Sequence, residues 1–212
     1  MPGTEAVIAR IVNDAPPVRR LRPPLVRALL WLVCFAAISA AGIALFADMR
    51  VFHDRMVTWE MQVELFGTLA TGLLAVIAAF ELSVPDRSPR WTLLPFPALA
   101  IWLAGSGAGC YRSWIVLRGN GWAFGDTWHC FLFIIGFGVP VAAALFWTLR
   151  AARPVAPLPV ALLGGLGAAS LAAFLLQFFH PFDVTFMDLS IHALAVLLVV
   201  AVVTWRGRPM LG

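Results

Sequence analysis

Six long apolar stretches, each free of Asp, Glu and Arg, dominate this chain, which contains no lysine. A helix needs about 20 apolar residues to cross the hydrocarbon core of a membrane. Backbone groups in lipid must bond within the chain, and the stretches lack the two-residue alternation of barrel strands. The sequence therefore predicts an all-α fold, a polytopic bundle of six transmembrane helices. The predicted spans cover residues 28–47, 65–80, 91–111, 130–149, 157–179 and 189–205.

The composition excludes the main alternatives to a membrane protein. Hydrophobic residues make up 61% of the 212 residues and charged residues only 12%, whereas a soluble domain carries about 25% charged residues. So few charges cannot cover a water-soluble globule, and a disordered chain would be far less apolar. Three cysteines are too few for a small disulfide-stapled protein.

Small residues, prolines and two glutamates refine the predicted spans. Pro95, Pro97 and Pro140 fall inside spans, where membrane helices tolerate proline as a kink. The second span reaches full length only if Glu64 and Glu81 lie at opposite interfaces, by snorkelling or as helix caps. The fifth span has a face of small residues suited to close helix packing, namely Gly164, Gly165, Gly167, Ala168 and Ala169.

The distribution of arginines predicts the orientation. Eleven of the fifteen basic residues fall on the side of the predicted spans that holds both termini, and four fall on the other side. Cytoplasmic loops carry the excess of positive charge, so both termini are predicted to be cytoplasmic. The net charge of +4 is thus a topology signal, and we expect no nucleic-acid partner. The predicted organisation is a cytoplasmic N-terminal segment (1–24), a six-helix membrane domain (25–206) and a cytoplasmic tail (207–212).

Two cysteines lie at the same predicted depth. Cys110 closes the third span and Cys130 opens the fourth, both at the outer interface. If these spans are antiparallel neighbours, the thiols come within disulfide reach, and the outer side of a bacterial inner membrane is oxidising. The residues leave two interpretations open, a disulfide or redox switch and a pair of buried small residues at helix ends. Cys34, in the inner half of the first span, is interpreted as a small apolar filler.

Other reactive side chains gather on the same outer side. Cys110 and Cys130 together with His129, His180 and Asp183 contain the donor types of a metal site, but at no recognised spacing. Methionines and His53 in the first outer loop offer a weaker copper site, with interfacial packing as the alternative. Asp188 and His192 lie four residues apart on one helical face. They form either a structural hydrogen-bonded pair or a proton-sensing pair.

The N-terminal segment has helical periodicity over residues 4–15. Thr4 is a possible N-cap, and two prolines end the helix. An apolar face is formed by Val7, Ile8, Ile11, Val12 and Ala15. A helix of about eleven residues is marginal alone in water, so something must cover this face. The absence of an aromatic anchor and the balanced charges favour the groove of a partner protein over the membrane surface.

Several short segments resemble the negative-regulator-of-sigma-F membrane proteins, which are bacterial anti-sigma factors. The segments are DAPPVRRLRPP at 14–24, SVPDRS at 83–88, Cys110, DTWHC at 126–130, and FHPFD at 179–183 with Met187 and His192. The resemblance implies six inner-membrane helices and an N-terminal segment, including Val7, Ile8, Ile11 and Val12, that binds an extracytoplasmic-function sigma factor. It also implies that Cys110 and Cys130 are outward-facing thiols that sense redox or heavy-metal stress. On this interpretation His129, His180, Asp183, Asp188 and His192 are auxiliary sensing residues.

Two other functions compete with the anti-sigma interpretation. A small transporter would need polar groups at the bilayer midplane or paired broken helices, which the spans lack. A membrane thiol oxidoreductase would more comfortably carry a Cys-X-X-Cys pair. No catalytic triad, phosphate loop or metal-hydrolase motif is present, so we expect no enzymatic activity and no cofactor.

Overall fold

The computed structural model describes residues 3–14, 20–111, 124–179 and 186–211. Every regular element in these ranges is helical, which confirms the all-α prediction. Short 3₁₀ turns at Pro89–Leu93 and Arg150–Ala152 precede α5 and follow α6. The α-helices in these ranges are α1 (Thr4–Asp14), α2 (Pro24–Phe46), α3 (Met49–Arg55), α4 (Trp59–Leu82), α5 (Phe96–Tyr111), α6 (Phe124–Leu149), α7 (Pro157–Leu176) and α8 (Phe186–Leu211).

Local sequence signals mark the helix boundaries. Pro24 and Pro157 lie at the first positions of α2 and α7, where proline's missing N–H is not needed. The carboxylate of Asp48 caps α3 by accepting hydrogen bonds from the backbone N–H groups of Arg50 (2.9 Å) and Val51 (3.4 Å). The predicted N-terminal helix corresponds to α1 over Thr4–Asp14, and Ala15, its last predicted residue, lies outside the described residues.

Within the described ranges, five helical segments are long and apolar enough to cross a membrane. They are Pro24–Phe46, Trp59–Leu82, Pro89–Gly109, Phe131–Ala152 and Pro157–Leu176. Helix α8 contains a shorter apolar stretch, Ala193–Gly207, and continues as far as Leu211. Five of the six predicted spans are therefore confirmed as candidate membrane helices, and the sixth stays a prediction.

Helices α4 and α7 form the antiparallel centre of the bundle. A Cβ atom added to Gly72 of α4 would lie 2.8 Å from the side chain of Leu171. A Cβ atom added to Gly167 of α7 would lie 2.9 Å from the side chain of Val76. Only glycine permits these approaches, so small residues set the distance between the two helices. The predicted small face of the fifth span is confirmed as a packing surface, since its members are buried or nearly so.

The other helices pack around this central pair. Helix α5 lies against α4, where Gly67 approaches the backbone of Trp102 so closely that an added Cβ would lie 2.9 Å from its Cα. Helices α6 and α8 cover α7 and each other. Helix α2 lies at the edge, and among its residues only Pro24, Ala28 and Leu32 are buried. The helix that follows the N-terminal segment is thus the most weakly packed of the long helices up to α7.

The contacts define two ends of the bundle. At the tail end, where α2 begins, Arg27 contacts Phe80 near the end of α4 and Thr148 near the end of α6. At the far end, Phe52 of α3 stacks on Phe178 just beyond α7, with 4.4 Å between ring centroids. The ring of Phe133, in the first half of α6, lies 5.5 Å from that of Phe179. Successive long helices therefore run in alternating directions between the two ends.

Two expectations about span interiors are corrected. Pro95, Pro97 and Pro140 do fall inside candidate spans, but Pro95 lies in the turn before α5 and Pro97 in its first turn, so of the three only Pro140 lies in the interior of an α-helix. Glu64 and Glu81 do not snorkel, because each is only 5% exposed. Glu81 instead forms an ion pair with Arg87, with 3.1 Å between Oε2 and Nε. Both carboxylates face protein because α4 is surrounded by other helices.

Candidate interaction and sensing sites

Helix α1 is held by local interactions. Glu5 lies in its first turn, where a carboxylate interacts favourably with the free N–H groups of a helix N-terminus. Arg10 and Asp14 form an ion pair one turn apart, with 3.8 Å between Nε and Oδ2. Both side chains are largely exposed, so this pair contributes only a few tenths of a kcal/mol. These interactions bias the segment towards a helix but do not provide a hydrophobic core.

The apolar face of α1 is uncovered. Every residue from Gly3 to Asp14 is exposed, and the side chains of Val7, Ile8, Ile11 and Val12 are between 43% and 65% exposed. These four residues are the predicted binding residues, and the helix places them on one side. A short helix with an exposed aliphatic stripe gains most from a partner that supplies a hydrophobic groove. The geometry therefore fits an interaction site.

Arg27 attaches α2, the helix that follows this site, to the rest of the bundle. Residues 20–23 are not helical, and α2 then begins at Pro24. The guanidinium of Arg27 donates a hydrogen bond from Nη2 to the carbonyl of Thr148 (2.6 Å), and its Cζ lies 5.2 Å from the ring centroid of Phe80. Arg27 thus attaches the start of α2 to α4 and α6 at the tail end.

The predicted sensing cysteines belong to helices that meet the far end. Cys110 is the penultimate residue of α5, directly after Gly109, which packs against Glu60 at the start of α4. Cys130 lies in the second turn of α6, three residues before Phe133. The backbone at both positions is therefore remote from the tail end. The two thiol side chains lie outside the described part of the structure, and their pairing stays a prediction.

The auxiliary residues are placed only in part. His129 lies in α6, and Asp188 and His192 lie one turn apart in α8, but their side chains are outside the description. His180 and Asp183 lie outside the described residues altogether. Among the described residues, no group of three or more His, Cys, Asp or Glu side chains is close enough to hold a metal ion. In the segment predicted to be the first outer loop, His53 is exposed and forms part of α3.

Glu60 and Glu64 are carboxylates whose burial the sequence analysis did not predict. They lie one turn apart in α4 and are 8% and 5% exposed. Their side of α4 faces α5, since Glu60 contacts the Gly109 position and the backbone of Glu64 lies near Gly105. Buried carboxylates require compensating partners, and both residues engage in such interactions. Their four-residue spacing was the available signal, because it places both acids on one helix face.

The side chain of Cys34 does lie within the described part of the structure. It is a free thiol on α2 and is exposed in the structure. It borders an apolar cleft between α2 and α6 rather than filling a packed core. The residues that line this cleft include no basic side chain.

Comparison with known families supports the resemblance seen in the sequence. A family model described as "negative regulator of sigma F" matches residues 11–212. No curated protein and no solved structure matches the chain at the significance threshold applied. The match includes Ile11 and Val12 of the apolar face and all the long helices. The family match favours a regulator of a sigma factor over a transporter or a thiol oxidoreductase.

Proposed function

The chain belongs to the negative-regulator-of-sigma-F family, and on this premise we propose that it is an anti-sigma factor that holds an extracytoplasmic-function sigma factor through α1. The family description supports negative regulation of a sigma factor as the general function. The observation that carries the assignment to α1 is its uncovered aliphatic face, Val7, Ile8, Ile11 and Val12. A membrane anchor that keeps the sigma factor away from the transcription machinery needs no catalytic group, and we propose none.

Helix-in-groove binding accounts for the pattern on α1. The four aliphatic residues follow i, i+1, i+4 and i+5 spacing, which forms a continuous stripe on a helix. The stripe contains no Trp, Tyr or Phe, and one arginine stands against two acids on α1, features that disfavour insertion into an anionic membrane surface. Binding to a protein groove buries the stripe and stabilises the marginal helix at the same time.

Charge placed on the stripe tests this assignment. The full-length chain is purified in detergent from its host, and the sigma factor that copurifies with it is identified by mass spectrometry. We expect Ile8→Asp and Ile11→Asp each to weaken its capture by about 30-fold or more, because burying an unpaired charge costs about 2–5 kcal/mol.

Asn13→Asp is the matched control, since it adds the same charge to the polar side of α1. This control should capture sigma as the unmodified chain does. All three variants should be produced in equal amounts, because no residue of α1 is buried. Unchanged capture by both isoleucine variants would contradict the proposal.

We further propose that Cys110 and Cys130 sense envelope stress on the outer side of a bacterial inner membrane. Six spans with both termini cytoplasmic would put these thiols on the opposite side from α1. The eleven-to-four arginine distribution and the far-end position of both helix segments support this arrangement. His129, His180, Asp183, Asp188 and His192 are proposed as auxiliary sensing residues on the same side.

The proposed signal is a change at the two sulfur atoms. In the redox form, two thiols lose two protons and two electrons to an oxidant and form one S–S bond. In the metal form, a soft divalent ion such as cadmium displaces the two thiol protons and binds both thiolates. Either change alters the approach of α5 and α6 at the far end, and helix movement must carry the signal across about 30 Å of hydrocarbon.

A double-mutant cycle tests whether the cysteines act as one unit. Cys110→Ser and Cys130→Ser should cause the same loss of sigma release under cadmium or oxidant, and the double variant should be no worse. Sigma release is measured with a reporter gene under control of the sigma factor. Cys34→Ser, as the control, should leave the response intact. Independent and additive effects at positions 110 and 130, or a dominant effect at Cys34, would refute the paired mechanism.

A further inference from the structure

An apolar cleft lies between α2 and the bundle, along α2 from Trp31 to Phe46. The cleft has a volume of about 690 Å³, within the range of about 300–1,000 Å³ for small-molecule sites. Helix α2 forms one wall, α6 forms the other, and residues at and just beyond the end of α7 close it at the far end. Representative lining residues are Trp31, Ile38 and Phe46 of α2, Phe137 and Ala144 of α6, and Phe179.

The shape and chemistry of the cleft suit a hydrocarbon chain. Its α2 wall runs from Trp31 to Phe46, which at 1.5 Å per residue is about 22 Å, most of the thickness of a bilayer core. The polar side-chain atoms among the lining residues are limited to those of Trp31, Cys34 and Ser39.

Arg27 lies one helical turn beyond the tail end of the cleft and connects its two walls. It precedes Trp31 by one helical turn, and its hydrogen-bond partner Thr148 follows Ala144 by one turn. Its guanidinium has five N–H donors, and Nη1 is a buried atom that donates no hydrogen bond within the described part of the chain. Arg150 lies two residues beyond Thr148 and stacks on Trp147, with 3.2 Å from Cζ to the ring centroid. The tail end of the apolar cleft is therefore positively charged.

We propose that the cleft binds an anionic phospholipid, with an acyl chain along α2 and the phosphate at Arg27. The length and the apolar lining of the cleft match an acyl chain, and its basic end matches the phosphate. A neutral hydrocarbon would leave the arginine without a counter-charge, and a soluble anion would not use the cleft. This assignment rests on the geometry around α2 and is independent of sigma binding and of the cysteines.

Lipid retention by the full-length chain tests the proposal. The protein is delipidated in detergent, incubated with dioleoylphosphatidylglycerol or dioleoylphosphatidylcholine, and examined by native mass spectrometry. We expect one phosphatidylglycerol per chain, retained about tenfold better than phosphatidylcholine. Arg27→Gln should abolish this preference, and Arg27→Lys should restore part of it. Equal retention of the two lipids by the unmodified chain would overturn the role of Arg27.

A matched pair of glycine variants tests the position of the acyl chain. A Cβ atom added to Gly42 or to Gly136 would meet no atom within 4 Å, so neither Gly42→Phe nor Gly136→Phe clashes at the first side-chain atom. Only Gly42 lines the cleft. Gly42→Phe should therefore lower phosphatidylglycerol retention about tenfold, and Gly136→Phe should not.

Equal retention by the two glycine variants would overturn the cleft as the site. A dimer of the unmodified chain that Gly42→Phe alone abolishes would overturn the lipid in favour of a second copy. Circular dichroism establishes that each variant is folded before its lipid is counted.

Discussion

Helix α7 is largely buried within the bundle, whereas α2 packs loosely against its surface. In the most apolar stretch of α7, 72% of the residues are buried, and in that of α2 only 6% are. Yet α2 is the more apolar of the two and the longer, with 23 residues against 20. Apolarity alone therefore does not tell a central membrane helix from a peripheral one, because lipid and protein interior are equally hydrophobic surroundings.

Close approaches at glycines distinguish the two helices. Helix α7 contacts α4 through Gly167 and α8 through Gly165, where an added Cβ would lie 3.1 Å from the Cα of Val200. Gly42 of α2 has open space in front of it. Close backbone approach lets α7 form many van der Waals contacts, and α2 forms few beyond its first turns. The helix that continues from α1 is thus the one whose position costs least to change.

The same leucine-to-alanine substitution in the two helices should give the largest contrast. Leu171 of α7 is fully buried, and Leu45 of α2 is 74% exposed. Leu171→Ala should lower the free energy of unfolding by about 2–5 kcal/mol, and Leu45→Ala by less than about 0.5 kcal/mol. Thermal unfolding in detergent, followed by size-exclusion chromatography, measures both. Similar losses would show that α2 is packed as tightly as α7.

Overpacking a helix contact should have the next largest effect. Gly67→Val introduces a side chain against the backbone of Trp102, and Gly107→Val introduces the same side chain where no atom lies within 4 Å of the new Cβ. The first variant should lose about 1–3 kcal/mol of unfolding free energy, because a backbone neighbour cannot move aside cheaply. The second should unfold near the original temperature. Equal unfolding temperatures would mean that the α4–α5 contact is adjustable.

Much of this fold could be predicted because apolar length sets membrane helices. The limits of α2, α4, α6 and α7 differ from the predicted spans by at most six residues at either end, and the small face of α7 correctly identified a packing surface. The burial of Glu60, Glu64 and Glu81 was missed, since carboxylates in a hydropathy pattern mark the ends of spans. Their surroundings depend on which neighbouring helices cover α4, and no local pattern contains that information.

The candidate sites were predictable to different extents. Periodicity identified the face of Val7, Ile8, Ile11 and Val12, because an isolated short helix is governed by local pattern. The far-end location of the segments holding Cys110 and Cys130 followed from counting spans, and the pairing of the thiols stays a prediction. The cleft beside Cys34 could not be predicted, since it arises from the divergence of α2 from α6.

The smallest of these effects is expected at Arg27, which is where α2 is attached. Arg27→Gln removes the charge-assisted hydrogen bond to Thr148 and the cation–π contact with Phe80. Because the side chain is only partly buried, we expect a loss of about 1 kcal/mol in global stability. The local effect should be clearer than the global one, because this residue joins the weakly packed α2 to α4 and α6. Hydrogen–deuterium exchange should become faster in the first turns of α2 and stay unchanged in α4 and α7. Faster exchange throughout the bundle would instead mean that α2 and the central helices unfold as one cooperative unit, and the distinction between a rigid centre and a loosely attached α2 would then be wrong.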